Sequence, residues 1–158
     1  MTRHLVDASV LISLDRIGEV ELLRDLLGQI HITAEVAEEL RGGPSPVDLK
    51  LPKFKGWVVL VAGRRPLPAW GLGKGESSLL HAARAGDRLV LDDAQARALA
   101  QARGLEYVGL LGLLVAGASS GRIQPDRALK ILDALMATEF RLAPGLYARA
   151  RRAIESIK

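Results

Sequence analysis

Five acidic residues stand where chemistry could be done. Asp7 follows Leu5-Val6, and the pair Asp92-Asp93 follows Leu89-Val90-Leu91, so each closes a short apolar segment. Glu76 opens a segment whose positions i+3, i+4 and i+7 are Leu79, Leu80 and Ala83. In a helix these share one side, so Glu76 begins the apolar stripe, while Ser78 and His81 mark the polar face. A carboxylate at the edge of a buried face is costly unless paired or metal-bound. The segment from Ala34 to Arg41 carries Glu35, Glu38 and Glu39. Val36 and Leu40 set its apolar face, which leaves Glu38 opposite and in solvent and Glu39 nearest that face. Each position also has an ordinary structural use: Asp7 and Asp93 can cap helices, and Glu76 can favour a helix dipole. Four carboxylates in one pocket would repel each other. A hard cation with oxygen ligands, Mg²⁺ or Mn²⁺, resolves the repulsion and can activate water against a phosphoryl group.

The elements that would position these acids alternate between strand and helix. Short apolar or β-branched runs predict strands at Leu5-Val6, Gln29 to Thr33, Trp57 to Val61, Arg88 to Leu91 and Glu106 to Val108. Helical patterns cover Ala8 to Arg16, Glu19 to Leu27, Ala34 to Arg41, Glu76 to Arg84, Ala94 to Arg103 and Leu110 to Ser119. Two more follow, Pro125 to Ala137 and Gly145 to Ile157. Residues 42–56 read as a Gly/Pro/Lys loop, the least ordered part by composition. The alternation predicts a three-layer α/β/α sandwich around a mainly parallel five-stranded sheet. In such a sheet, sites form at the carboxyl ends of strands, where Asp7 and Asp92-Asp93 fall.

Several other chemistries are absent. The chain has no cysteine, which excludes disulfides, cysteine-based zinc sites and a thiol nucleophile. Gly73-Lys74-Gly75 is not a Walker A sequence and reads as a helix entry. His4, His31 and His81 lack metal-ligand spacing, and Ser9 has no His-Asp partnership. A phosphoaspartate receiver needs an acid after the third strand, where Ala62-Gly63-Arg64 stands. A haloacid-dehalogenase-type site needs an acid at position 9, which is Ser.

In this order the acids resemble those of the PIN domain, a fold of metal-dependent ribonucleases and of the toxins in toxin–antitoxin pairs. The matching pieces are Val6-Asp7-Ala8-Ser9, Val36-Ala37-Glu38-Glu39-Leu40, Gly75-Glu76 and Leu91-Asp92-Asp93. Asp92-Asp93-Ala94-Gln95-Ala96-Arg97 and Gly109-Leu110-Leu111-Gly112-Leu113-Leu114 resemble one PIN-like branch of prokaryotic proteins. The resemblance implies that the first and fourth strands are neighbours. It makes Asp7, Glu39, Glu76 and Asp93 the catalytic acids, with Asp92 a further metal ligand and Ser9 a polar support for Asp7. It implies RNA as substrate, Mg²⁺ or Mn²⁺ as cofactor, a homodimer, and a small antitoxin as partner. A nucleic-acid or protein-binding module with little hydrolysis, or a structure-specific DNA nuclease, are the rival readings. The sequence departs from the toxin branch at Leu91, where Thr is common, and at Thr33, where Pro is common.

The chain of 158 residues, with 49% hydrophobic and 25% charged residues, is read as one domain. Residues 1–120 would form the α/β core with the acidic site and 121–158 a helical extension. The formal net charge is +4. Lys50, Lys53, Lys55, Arg64 and Arg65 form one basic stretch without an acid. Arg141, Arg149, Arg151, Arg152 and Lys158 form another, against Glu155. Lys53, Lys55, Arg64, Arg65, Arg149, Arg151 and Arg152 are candidates to hold a phosphate backbone; ordinary solvated surface is the alternative. The last helix gathers Leu146, Ala150, Ala153, Ile154 and Ile157 into a stripe that should dock on the domain or on a second copy. No export signal is visible, and the longest apolar run, Val108 to Ala118, is too short for a bilayer, so a cytoplasmic protein is expected.

Overall fold

The computed structural model describes residues 2–138 and 144–157. Five strands, β1 (His4–Val6), β2 (Ile30–Ile32), β3 (Val58–Leu60), β4 (Arg88–Val90) and β5 (Glu106–Val108), form one sheet in the order β3-β2-β1-β4-β5. Every neighbouring pair is parallel, with Leu5 opposite both His31 and Leu89. The chain winds outward from β1 in one direction and from β4 in the other, so the switch point lies between them. Leu5, Val6, Ile30, Ile32, Leu89 and Val90 are buried. Such unbroken apolar strands suit a parallel sheet covered on both faces.

The helices are α1 (Ala8–Arg16), α2 (Leu22–Leu27), α3 (Ala34–Gly42), α4 (Lys74–Ala82), α5 (Ala94–Ala102), α6 (Leu110–Ser119), α7 (Pro125–Met136) and α8 (Pro144–Glu155). They flank the sheet in a three-layer α/β/α arrangement. α1, α3, α4 and α5 pack in succession, while α6, α7 and α8 pack on one another. α6 approaches α2 closely: a Cβ on Gly117 would stand 2.5 Å from Leu26 Cδ2. α8 docks on α6 and α7 with Ala150 and Ile154 buried, whereas Leu146 stays 40% exposed. Among the described residues no helix is long and apolar enough to cross a membrane.

Three expectations shift. α2 starts at Leu22 rather than Glu19, because residues 19–21 are spent on a turn whose Glu19 pairs with Arg127. α4 starts at Lys74 and ends at Ala82, two residues earlier than the apolar pattern predicts. Gly73 takes the extended N-cap conformation, and Ala83 turns extended with ψ 141°. The 42–56 segment is well anchored: Val47 and Phe54 within it and Trp57 directly after it are buried, and Pro52–Phe54 form a 3₁₀ turn. Its Gly and Pro residues punctuate the path, but three large apolar side chains fasten it to the core.

Candidate functional site

Asp7 ends β1 and caps α1. Its Oδ1 accepts from Ala8 N at 2.8 Å and its Oδ2 from Ser9 Oγ at 2.8 Å, and its backbone N donates to Val90 O of β4 at 3.1 Å. The residue is 2% exposed. Burial pushes its carboxyl up to about 6, aided by the charges of Glu39 and Asp92 and opposed by the Ser9 and Ala8 hydrogen bonds.

Glu76 lies in the first turn of α4 and is half-buried. Its carboxyl is pushed up to about 7, first by burial, then by the charges of Asp7 and Asp93, with Glu39 adding a smaller push. Glu39 reaches across from α3, where its Oε1 accepts from Gly75 N at 2.9 Å. That N–H is one of the orphan donors at the start of α4. A Cβ on Gly75 would stand 2.7 Å from Glu39 Oε2, so the approach requires a residue without one. Glu38 and Glu39 are both exposed, but only Glu39 makes a hydrogen bond to α4.

The two acids after β4 divide their work. Asp93 caps α5, accepting from Ala96 N at 2.8 Å, and its charge acts on Glu76. Asp92 faces the other way, with Oδ1 accepting from Leu110 N at the start of α6 at 3.0 Å. Here too a glycine clears the space: a Cβ on Gly109 would lie 2.9 Å from that oxygen. Burial raises the Asp92 carboxyl, offset in part by Leu110 and by the charge of Arg97, and its Oδ2 is buried without a hydrogen-bond partner.

Two residues that sequence reasoning placed elsewhere hold this corner together. Ser78, expected on the polar face of α4, is fully buried. Its hydroxyl lies 2.5 Å from Thr33 Oγ1 and 2.6 Å from Gly75 O. Thr33 in turn caps α3 through Val36 N at 3.3 Å. The hydroxyl pair therefore ties α3, which carries Glu39, to the turn of α4 that carries Gly75 and Glu76. Glu35 was also missed. It is 5% exposed, its Oε1 accepts from Arg65 Nη2 at 2.5 Å, and its Oε2 is buried and unpartnered. Glu35 precedes Glu39 by four residues, hence shares its side of α3, which was the available signal.

The basic candidates separate into engaged and unengaged groups. Lys53 pairs with Asp15 at 2.8 Å, Arg65 with Glu35, and Arg151 with Asp133 and Glu155, both at 2.8 Å. Among the described residues Lys55, Arg64, Arg149 and Arg152 have no ion-pair partner. Arg141 and Lys158 lie outside the described residues.

All five acids thus sit at the carboxyl edge of the sheet, around the β1/β4 switch point, and act on one another electrostatically. Their donors are carboxylate oxygens, the set a hard cation takes, and the unpartnered Asp92 Oδ2 is the kind of atom such an ion satisfies. Among the described residues no three of them are drawn tightly enough together to form a ready metal cage. The fit is therefore one of donor chemistry and position.

A doubly wound parallel sheet with acids gathered at its switch point defines the class of protein. A family model described as a PIN domain matches residues 3–156, and the chain belongs to that family. PIN domains are generally nucleases and typically use divalent metals. No curated protein and no solved structure matches the chain.

Proposed function

We propose that this chain is a metal-dependent ribonuclease that hydrolyses RNA phosphodiester bonds with Mg²⁺ or Mn²⁺. The observation that supports it is the placement of Asp7, Glu39, Glu76, Asp92 and Asp93 at one sheet edge, where burial first, and like charge after it, raise Asp7 and Glu76. A fold spends stability to hold carboxylates in that state, and bound positive charge would recover it. The ion, once bound by these acids, supplies Lewis-acid polarisation of a phosphoryl oxygen and an activated water.

The chain's own residues prepare the site. Ala8 N and Ser9 Oγ hold Asp7 in one orientation. Gly75 N fixes Glu39, and Leu110 N fixes one oxygen of Asp92 while leaving the other bare. Lys55, Arg64, Arg149 and Arg152 are the cations available to an RNA backbone. The reading extends to a toxin of a toxin–antitoxin pair, working in the cytoplasm as a homodimer and silenced by a small antitoxin protein.

Purified protein should cleave single-stranded RNA with Mn²⁺ and not with EDTA, and Asp7→Asn should abolish cleavage while remaining folded. Cleavage of single-stranded DNA alone would replace RNA by DNA. RNA binding that survives both EDTA and Asp7→Asn, with no cleavage by the parent protein, would leave a binding module instead.

A further inference from the structure

The amino ends of the strands carry a second concave surface, about 360 Å³ in volume, on the sheet edge away from the acids. His4 opens β1 and Arg88 opens β4, opposite each other in the sheet register. Arg122, just past α6, and Ser120 at its end complete the polar lining. Leu26 and Leu113 supply apolar wall. No carboxylate lines this pocket among the described residues.

The cations here are poorly neutralised. Arg122 Nη1 donates to Leu26 O at 2.7 Å, which anchors the guanidinium at the end of α2. Its other N–H groups have no partner among the described residues. Arg88 reaches Glu106 only at 3.4 Å across exposed surface, a pair of little strength. Asp87, the buried acid next to Arg88 in the chain, is already taken by Arg3 at 2.6 Å. The His4 imidazole is pushed down, first by burial and then by the charges of Arg88, His31 and Arg122, as expected where positive field is left over.

We propose that this pocket binds a phosphorylated small molecule of about nucleoside-monophosphate size. Arg88 and Arg122 would take the phosphate, and the Leu26–Leu113 wall the organic part. Planar guanidinium forks match phosphate oxygens in pairs, and the volume lies within the range of small-molecule sites. The site is independent of the nuclease reading, since it shares no residue with the acidic edge.

Calorimetric titration in EDTA tests it on the full chain, with inorganic phosphate, AMP and adenosine as probes. AMP should bind saturably and more tightly than phosphate, and adenosine should not bind. Arg88→Gln with Arg122→Gln should weaken AMP at least about tenfold, the scale of losing a charge-assisted bond, with a cooperative unfolding transition retained despite the lost bond to Leu26 O. Asp7→Asn should leave AMP binding unchanged. Absence of saturable AMP binding would overturn the proposal. So would adenosine binding as tightly as AMP, or AMP binding indifferent to the double variant. Because every titration is metal-free, failure here leaves the nuclease reading untouched, and failure of cleavage leaves this site untouched.

Discussion

The two ends of the same strands carry opposite chemistry. At the carboxyl ends Asp7, Glu76 and Asp92 are each pushed toward the neutral form, mainly by burial, and Asp7 and Glu76 also by neighbouring carboxylates. At the amino ends Arg88 and Arg122 leave positive field over, which helps push the half-buried His4 imidazole down, while Arg3 and Asp87 pair and Asp87 is held below the usual carboxylate range. An acid beside a guanidinium is a strut that stabilises the fold. An acid beside other acids is a stored cost that a ligand can relieve. Sheet topology explains which end received which: helix N-termini converge at the carboxyl edge and offer N–H groups to Asp7, Glu39, Asp92 and Asp93.

The comparison breaks most visibly at Asp7. Asp7→Asn should lower RNA hydrolysis at least about a hundredfold, beyond the usual cost of losing a group that merely supports a metal ligand. The same change should stabilise the metal-free protein. Asp7 has a folded value near 6 against 3.8 for an ordinary aspartate, so the unfolded chain releases its proton first as pH rises. The penalty therefore grows between about pH 4 and 6 and stays constant above. At pH 8 the gain from Asn should approach roughly 3 kcal/mol, and near pH 3 it should vanish. Urea unfolding at both pH values in EDTA checks this; equal gain at both would show that Asp7 is not held under charge stress.

Next in size is the α3–α4 corner. Gly75→Ala should drive the Glu39 carboxylate aside and weaken Mn²⁺ binding about tenfold or more, because the overlapping atoms belong to a flexible side chain and the fold survives. Ser78→Ala removes the partner of the buried Thr33 hydroxyl proton and the donor to Gly75 O, and should cost about 1–3 kcal/mol in thermal or urea unfolding. Glu39→Gln should cripple RNA hydrolysis while Glu38→Gln leaves the rate close to that of the parent. Equal effects from the two would mean that Glu39 does not serve the site.

The opposite edge should respond to acid with the opposite sign. Asp87 is held low by Arg3, so its stabilisation is full above the ordinary aspartate value and is lost as pH falls through the folded one. Asp87→Asn should therefore cost about 1–2 kcal/mol at pH 7 and progressively less in stronger acid, read by urea unfolding across pH.

The smallest expected effect lies in α8. Arg149→Gln with Arg152→Gln should leave unfolding unchanged and reduce the salt slope of single-stranded RNA binding by about 1.4, whereas Arg151→Gln should leave that slope unchanged. An equal slope change from Arg151→Gln would mean that its pairing with Asp133 and Glu155 does not withhold it from RNA.

Much of this was readable in the chain. Strands that are buried on both faces announce themselves as apolar runs, and an acid directly after such a run must lie at the carboxyl edge. The placement of Asp7, Asp92 and Asp93 was legible for that reason; helical angle favours Glu39 over Glu38 as the inward acid, yet both are exposed, and what separates them is the hydrogen bond of Glu39 to Gly75 N. What periodicity hid was long-range pairing. Ser78 looks polar and therefore exposed, yet Thr33, 45 residues earlier, satisfies it in the interior. Glu35 is buried because Arg65, 30 residues later, reaches it. The division between Asp92 and Asp93 depends on Leu110 N, supplied by a helix that follows a further strand. Local pattern sets which residues can face inward; partners distant in sequence decide which polar ones do.

Each strand of the sheet is only three residues long. From His4 to Asp7 is therefore a span of about 10 Å at 3.3 Å per residue. In dilute buffer, where fields persist over about 30 Å, the molecule behaves as a small dipole whose poles feel each other through the sheet. Neutralising an arginine at one pole then disturbs the carboxyls at the other, although no atom links them. Near physiological ionic strength, with fields in solvent fading over about 8 Å, the part of this coupling that runs through solvent weakens, while the part that runs through the buried sheet is screened much less. Ionic strength thus tunes how strongly the two edges titrate together.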